Sequence, residues 1–118
     1  MNYHEDFSLI IFGIQGRLTK HKIGKHPVGF VSNKGTVFEK EKIQLTKGDT
    51  FYIFTDGYCD QFGGKDDDKF LESNFEKLLL EIKDKEMTEQ SSILETTIDK
   101  WKGKTPQLDD ILVIGLRF

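Results

Sequence analysis

Cysteine is almost missing from this 118-residue chain. With Cys59 alone, no intramolecular disulfide can form and no cysteine-built zinc site is available, a usage that fits a reducing compartment. Cys59 itself reads as a small buried hydrophobe. An excess of positive charge is also missing: the formal net charge of -3 and a pI near 5.6 argue against nucleic acid, because phosphate-backbone binding needs clustered lysine and arginine in excess. No run approaches the roughly eighteen apolar residues that a bilayer span requires, and Met1 to Asp6 is polar. The expectation is a soluble, cytoplasmic chain with no membrane segment. Repeats, heptads, low-complexity tracts and Pro/Ser/Gly-rich linkers are absent too, so residues 1–118 read as a single domain.

What is present is a set of dense β-forming runs and two amphipathic helices. Phe7 to Ile14, the break at Gln15-Gly16, and the alternating Arg17 to Ile23 predict a hairpin. Thr36 to Leu45 predicts an extended, half-exposed strand, followed by a turn at Thr46-Lys47-Gly48-Asp49. Thr50 to Thr55 lacks a polar face and is expected to be a central strand buried on both sides. Beyond Asp56-Gly57, the Gly- and Asp-rich stretch from Gln61 to Lys69 is expected to be a mobile loop. Ser73 with Glu76 fits a capping box ahead of a helix faced by Phe75, Leu78, Leu79 and Ile82. Thr88 fits the N-cap of a second helix, with Leu94, Thr97, Ile98 and Trp101 on one face and Lys100, Lys102 and Gly103 at its end. Ile111 to Phe118 is so apolar that it predicts an interior strand. Strands, two helices and a last strand make an α+β layered fold, with both helices packed on one face of the sheet.

Two acidic sites stand at the ends of the most apolar strands. Asp56 follows Phe51–Thr55 directly, with Gly57 free to turn or to approach a ligand, and Asp109-Asp110 immediately precedes the last strand. If the two strands are antiparallel neighbours, Asp56 and Asp109 converge. Convergent carboxylates need a cation such as Mg²⁺ or Mn²⁺ to stay ionised together, and a metal-bound water aimed at phosphorus would make a hydrolase. Asp-Gly is equally a common turn, and an Asp pair before a strand can simply be solvated. Asp66-Asp67-Asp68 reads as a solvated loop, and the histidines His4, His21 and His26 lack zinc-binding or catalytic spacing. Trp101 reads as core.

The stretch Lys47 to Gly64, with Gly48-Asp49, Tyr52-Ile53-Phe54-Thr55-Asp56-Gly57, Asp60 and Phe62-Gly63-Gly64, resembles the phosphatase domain of sporulation stage II protein E (SpoIIE). Gln107-Leu108-Asp109-Asp110-Ile111-Leu112-Val113 resembles that family's closing motif, and Pro27-Val28-Gly29 a preceding one. The resemblance runs from about Leu18 to the last residue. It implies the C-terminal half of a domain related to protein phosphatase 2C, part of an αββα sandwich of antiparallel sheets. Such a domain holds two Mn²⁺ or Mg²⁺ ions and removes phosphate from phosphoserine or phosphothreonine in proteins, including regulators of sigma factors. By the same resemblance Asp56, with the adjoining Gly57, and Asp109 belong to the metal site. Asp60 matches a position used for a third, weaker metal, and Asp110 is a neighbour that orients Asp109 or the metal's waters.

One family motif has no counterpart. The upstream Asp-Gly-x-Gly, whose Asp bridges the two metals, does not occur between Met1 and Phe54. The chain is therefore expected to be a piece of a larger protein, a shortened gene product or a degenerate relative, to bind Mn²⁺ weakly and to lack turnover by itself. The competing reading is a non-catalytic scaffold or dimerising module; an in-frame Asp-Gly-x-Gly encoded just upstream would decide for the enzyme. A half-sandwich is also expected to self-associate, since its strands would otherwise leave an apolar face open.

Overall fold

A computed structural model describes residues 7–14, 16–23 and 44–118. The first two dense β-forming runs pair as predicted: β1 (Phe7–Phe12) and β2 (Leu18–Ile23) form an antiparallel hairpin. Its turn is closed by the Gly13 N–H donating to the Arg17 carbonyl at 2.7 Å. The strand expected over Thr36 to Leu45 lies almost wholly outside the described residues, as does Pro27-Val28-Gly29, and its last two residues, Gln44 and Leu45, are not in a strand. β3 (Thr50–Thr55) pairs antiparallel with β1 on one side and β6 (Val113–Arg117) on the other, giving the order β2-β1-β3-β6.

Alternation along the strands gives this sheet two unlike faces. Ile10, Phe12, Tyr52, Phe54 and Val113 point toward α2 (Glu72–Ile82) and α3 (Met87–Lys102), where they meet Phe75, Leu79, Ile82, Leu94 and Ile98 in the core. Phe54 and Phe75 stack edge to face with centroids 4.7 Å apart. The other face carries Leu9, Ile11, Phe51, Ile53, Ile114 and Leu116. Its burial falls away across the sheet: Leu9 is 5% exposed, whereas Ile114 and Leu116 are 43% and 51% exposed. The last strand is thus not interior. β6 is an edge of the described sheet, covered by helices on one face only, and its apolar run reflects an open second face. β3 is central as expected, but Phe51 and Ile53 on that face are only half buried.

Both helices form where periodicity placed them, with different starts. α2 begins at Glu72 behind Leu71, held at a φ of 79°, and no side chain caps it. The Leu71 N–H donates to the Cys59 carbonyl at 2.8 Å, which fixes the entry two residues before the expected Ser73 cap. Glu76 instead pairs with Lys20 Nζ of β2 at 2.8 Å. α3 begins at Met87 rather than after Thr88, because the Gln90 N–H already donates to the Glu86 carbonyl. It ends as expected at Gly103, with a φ of 52° and its N–H on the Asp99 carbonyl.

Gln90 had no signal in the sequence, yet it joins the layers. Buried in α3, its Oε1 accepts from the Tyr52 hydroxyl at 2.6 Å, while its Nε2 donates to the Lys83 and Lys85 carbonyls that end α2. A Gln90→Leu change leaves the Tyr52 hydroxyl buried and unmet and takes one donor from each of the two carbonyls, which keep the Arg117 guanidinium, and is expected to cost about 1–3 kcal/mol in denaturant unfolding. Adding Tyr52→Phe should recover part of that loss.

Burial also pushes the Cys59 thiol from 9.0 up to about 12 and the Tyr52 phenol from 10.0 up to about 12, and raises Tyr58 as well. The native chain keeps these protons after the unfolded chain has released them. Stability is therefore expected to hold up to about pH 9 and to decline above it. Cys59 should resist a thiol reagent at pH 8 until the chain is unfolded. Rapid native labelling would contradict the burial.

Candidate metal-site region

The candidate acidic residues lie on the segments at one end of the β3–β6 ladder. Thr55, the last residue of β3, is stitched to the entry of β6 by three bonds. Its N–H donates to the Leu112 carbonyl at 3.1 Å, its hydroxyl donates to the Asp110 carbonyl at 3.1 Å, and the Leu112 N–H donates to that hydroxyl at 3.2 Å. The expected antiparallel neighbourhood of the two strands is therefore present. Asp56 and Gly57 follow at once, and Gly57 lies against the other segment so closely that an added Cβ would sit 2.1 Å from the Asp110 carbonyl oxygen. Only glycine fits this crossing. From there the chain turns into the single-turn helix α1 (Gly57–Asp60).

The stretch from Gln61 to Lys69 is a compact hairpin rather than an open loop. β4 (Phe62–Gly63) pairs with β5 (Asp68–Lys69), with Asp66 and Asp67 exposed at the tip as a solvated acidic loop. Trp101 holds it. Its indole N–H donates to the Gln61 carbonyl at 2.9 Å, its carbonyl accepts from the Gly64 N–H at 2.8 Å, and Cβ atoms at Gly63 or Gly64 would collide with it at 2.0 and 2.6 Å. Trp101 packs on the core as expected, but its second duty is to seat the Phe62-Gly63-Gly64 turn. Gln61, also unsuspected, is buried and donates from Nε2 to the Pro106 carbonyl at 3.1 Å, linking α1 to the approach to Asp109.

These restraints make a small cleft of about 150 Å³, lined by Gly57, Asp60, Phe62, Lys69, Leu108 and Asp109. Asp60 and Asp109 are thus brought to one cleft, and Asp56 flanks it through Gly57. Asp110 is placed differently: its backbone carbonyl serves Thr55, and its side chain is exposed. Lys69 Nζ stands 3.5 Å from the Asp60 carboxylate, so a cation at Asp60 competes with a resident ammonium in a half-exposed, weak pair. His21 lies on β2, away from this end, and His4 and His26 fall outside the described residues.

The sequence matches the family model of stage II sporulation protein E (SpoIIE) over residues 4–118. The chain belongs to the SpoIIE family. Among solved structures it is similar to the SiaA-PP2C domain of Pseudomonas aeruginosa, with a TM-score of 0.76 and 27% identity, covering 95% of this chain and 43% of that one. The chain thus spans less than half the length of the structure it matches. No curated protein sequence matches it. Family and fold together establish a phosphatase-family α+β domain of the protein phosphatase 2C type. No helix among the described residues is long and apolar enough to cross a membrane.

The family's Mn²⁺ or Mg²⁺ chemistry can be tested against these donors. Carboxylate oxygens are the right type for a hard divalent cation. Their number is not sufficient: among the described residues no group of three or more His, Cys, Asp and Glu side chains converges into a cation-binding cluster. The described residues show carboxylates of the right type and no assembled cation site.

Gly57→Ala is the sharpest probe of the crossing. It is expected to push the Asp110 backbone away and destabilise the chain by about 1–3 kcal/mol. A Gly103→Ala change has open space around it but must adopt a positive φ, and should cost about 1 kcal/mol or a little more. Equal, negligible losses at the two positions would argue against the Gly57 contact.

Proposed function

We infer that this chain is the metal-binding C-terminal part of a phosphoserine/phosphothreonine protein phosphatase domain and that, by itself, it does not turn over. The observation that supports the reading is the contact of Gly57 with the Asp110 backbone, which brings together the segments that carry Asp56 and Asp109 at the end of a family-matched strand pair. In this reading Asp56 and Asp109 are ligands to Mn²⁺ or Mg²⁺, with Gly57 at the same site. Asp60 offers a weaker outer position, and Asp110 steadies its neighbour. The substrate class is a phosphorylated protein, with a sigma-factor regulator as the family-like example, and the place of action is the cytoplasm. The Thr55 network fixes the backbone at Asp110 and Leu112 through main-chain atoms and a hydroxyl, without taking up a carboxylate oxygen of Asp56 or Asp109.

The missing motif also supports a second reading, a non-catalytic module that keeps the fold's surface for binding. A binuclear site needs a bridging carboxylate to hold two cations against their mutual repulsion, and the sequence from Met1 to Phe54 has no Asp-Gly-x-Gly to supply one.

The two readings part on metal binding. Under the first, the purified chain should bind Mn²⁺ weakly, read by the loss of free-ion paramagnetic signal on titration, and Asp56→Asn should reduce that binding by about tenfold. Neither form should hydrolyse an aryl phosphate or a phosphoserine peptide above background in millimolar Mn²⁺. Binding indifferent to Asp56→Asn favours the non-catalytic module. Hydrolysis abolished by Asp56→Asn would show a complete enzyme and overturn the partial-site reading.

A further inference from the structure

β6 leaves one edge of the four-stranded sheet without a partner among the described residues. Bonds at its two ends decide which groups that edge presents. The Thr55 N–H donates to the Leu112 carbonyl and the Phe118 N–H to the Asp49 carbonyl. In an antiparallel ladder this parity turns Leu112, Ile114, Leu116 and Phe118 toward β3 and aims the N–H and C=O groups of Val113, Gly115 and Arg117 outward. The strand carries none of the usual protections of an edge: it has no proline, no bulge and no lysine, and a single charge at its far end.

Beside this edge, between β6 and α3, runs a groove of about 480 Å³ whose lining includes Val113, Gly115, Leu94, Ile98, Glu95 and Asp99. Glu95 and Asp99 stand one turn apart on α3, both exposed, and neither has an ion-pair partner among the described residues. The groove is apolar at its base, acidic at its rim and open toward the unpaired strand.

We propose that two copies of this chain pair antiparallel through the outer edges of β6, about a two-fold axis at Gly115. The register follows from parity, since outward groups must face outward groups: Gly115 stands opposite the second copy's Gly115, and Val113 opposite the second copy's Arg117. On the open face Ile114 then lies across from the second copy's Leu116. Two exposed apolar side chains per copy become cross-strand pairs. On the helix face Gly115 has no side chain, and a Cβ there would meet the Tyr52 ring at 3.0 Å, so the mouth of the groove stays clear. The second copy's Arg117 enters there, with its stem against Val113 and its guanidinium toward Glu95 and Asp99. In a single chain that guanidinium donates to the Lys83 and Lys85 carbonyls. Pairing exchanges neutral acceptors for carboxylates, the stronger partners, and the two-fold axis makes every contact twice. The self-complementarity of one short strand, apolar on one face and basic at the end that meets an acidic rim, is what selects a second copy as the occupant. The inference is independent of whether the chain hydrolyses phosphate.

Sedimentation equilibrium of the full chain at tens of micromolar tests it. The unaltered chain is expected to dimerise, and E95R/D99R, two exposed helix positions, to weaken the dimer by about tenfold. Adding R117E to those changes reverses both charges and should restore it. Hydrogen exchange supplies a second readout: the Val113, Gly115 and Arg117 amides should be protected at high concentration and exchange freely on dilution, whereas the Ile114 and Leu116 amides remain protected throughout. A monomer, a dimer indifferent to E95R/D99R, a loss that R117E does not reverse, or outward amides whose exchange ignores concentration would each overturn the proposal.

Discussion

At the end of β3, two backbones pass so close that one of them can carry no side chain. The Gly57–Asp110 crossing sets the distance between the segment after β3 and the segment before β6, and the three bonds of Thr55 hold it from the strand side. A carboxylate that must meet a cation has to be held to within fractions of an ångström by groups other than the cation. At this crossing a glycine, a hydroxyl and main-chain atoms fix the backbone beside Asp56 and Asp109. None of them competes for the carboxylate oxygens of Asp56 or Asp109.

That crossing depends in turn on a chain of contacts running away from the cleft. Gln61 bonds the Pro106 carbonyl, Trp101 bonds the Gln61 carbonyl and covers Gly63 and Gly64, and the Tyr58 hydroxyl donates to the Leu94 carbonyl. α3 is thereby fastened at two levels, Trp101 and Leu94, to the segment that follows β3, and Gln90 fastens its other end to Tyr52 and to the residues after α2. Most of these bonds join a side chain to a main-chain carbonyl. They fix geometry without drawing on an acidic side chain.

The parts legible in the sequence are those written in periodicity and in local chemistry. β1 and β2 announce themselves by alternation across a Gln15-Gly16 break, α2 and α3 by apolar residues at helical spacing, and the end of α3 by Gly103. The junction of Asp56 with Asp109-Asp110 was legible because both adjoin the most apolar strands, whose pairing could be anticipated. What was not legible depends on partners distant in the chain. Ser73 and Glu76 have the right spacing for a cap, but Leu71 is already fixed by Cys59 and Glu76 is drawn to Lys20. Gln90 and Gln61 look like surface residues until the strand or loop that buries them is in place. The Gln61–Lys69 stretch read as loop because Gly and Asp dominate it, whereas its order comes from Trp101, the only tryptophan in the chain. A pair of glycines beside an aromatic, in a chain with a single tryptophan, is the signal that could have found that contact.

The apolar run from Ile111 to Phe118 carries a different lesson. An uninterrupted apolar strand says that both faces are meant to be covered, but it does not say by what. In the described fold one face meets α3 and the other stays open at Ile114 and Leu116, so the run is more apolar than the described contacts require. The family's structural relative is more than twice as long as the part this chain matches, which is consistent with a second layer lying over that face. Edge and face are physically separate demands. A covering sheet hides side chains but leaves the outward N–H and C=O groups of Val113, Gly115 and Arg117 unpaired, while an added strand satisfies those groups and covers only the outermost side chains. β6 is therefore where two different contacts can meet on one strand without excluding each other, one stacked on its face and one laid along its edge.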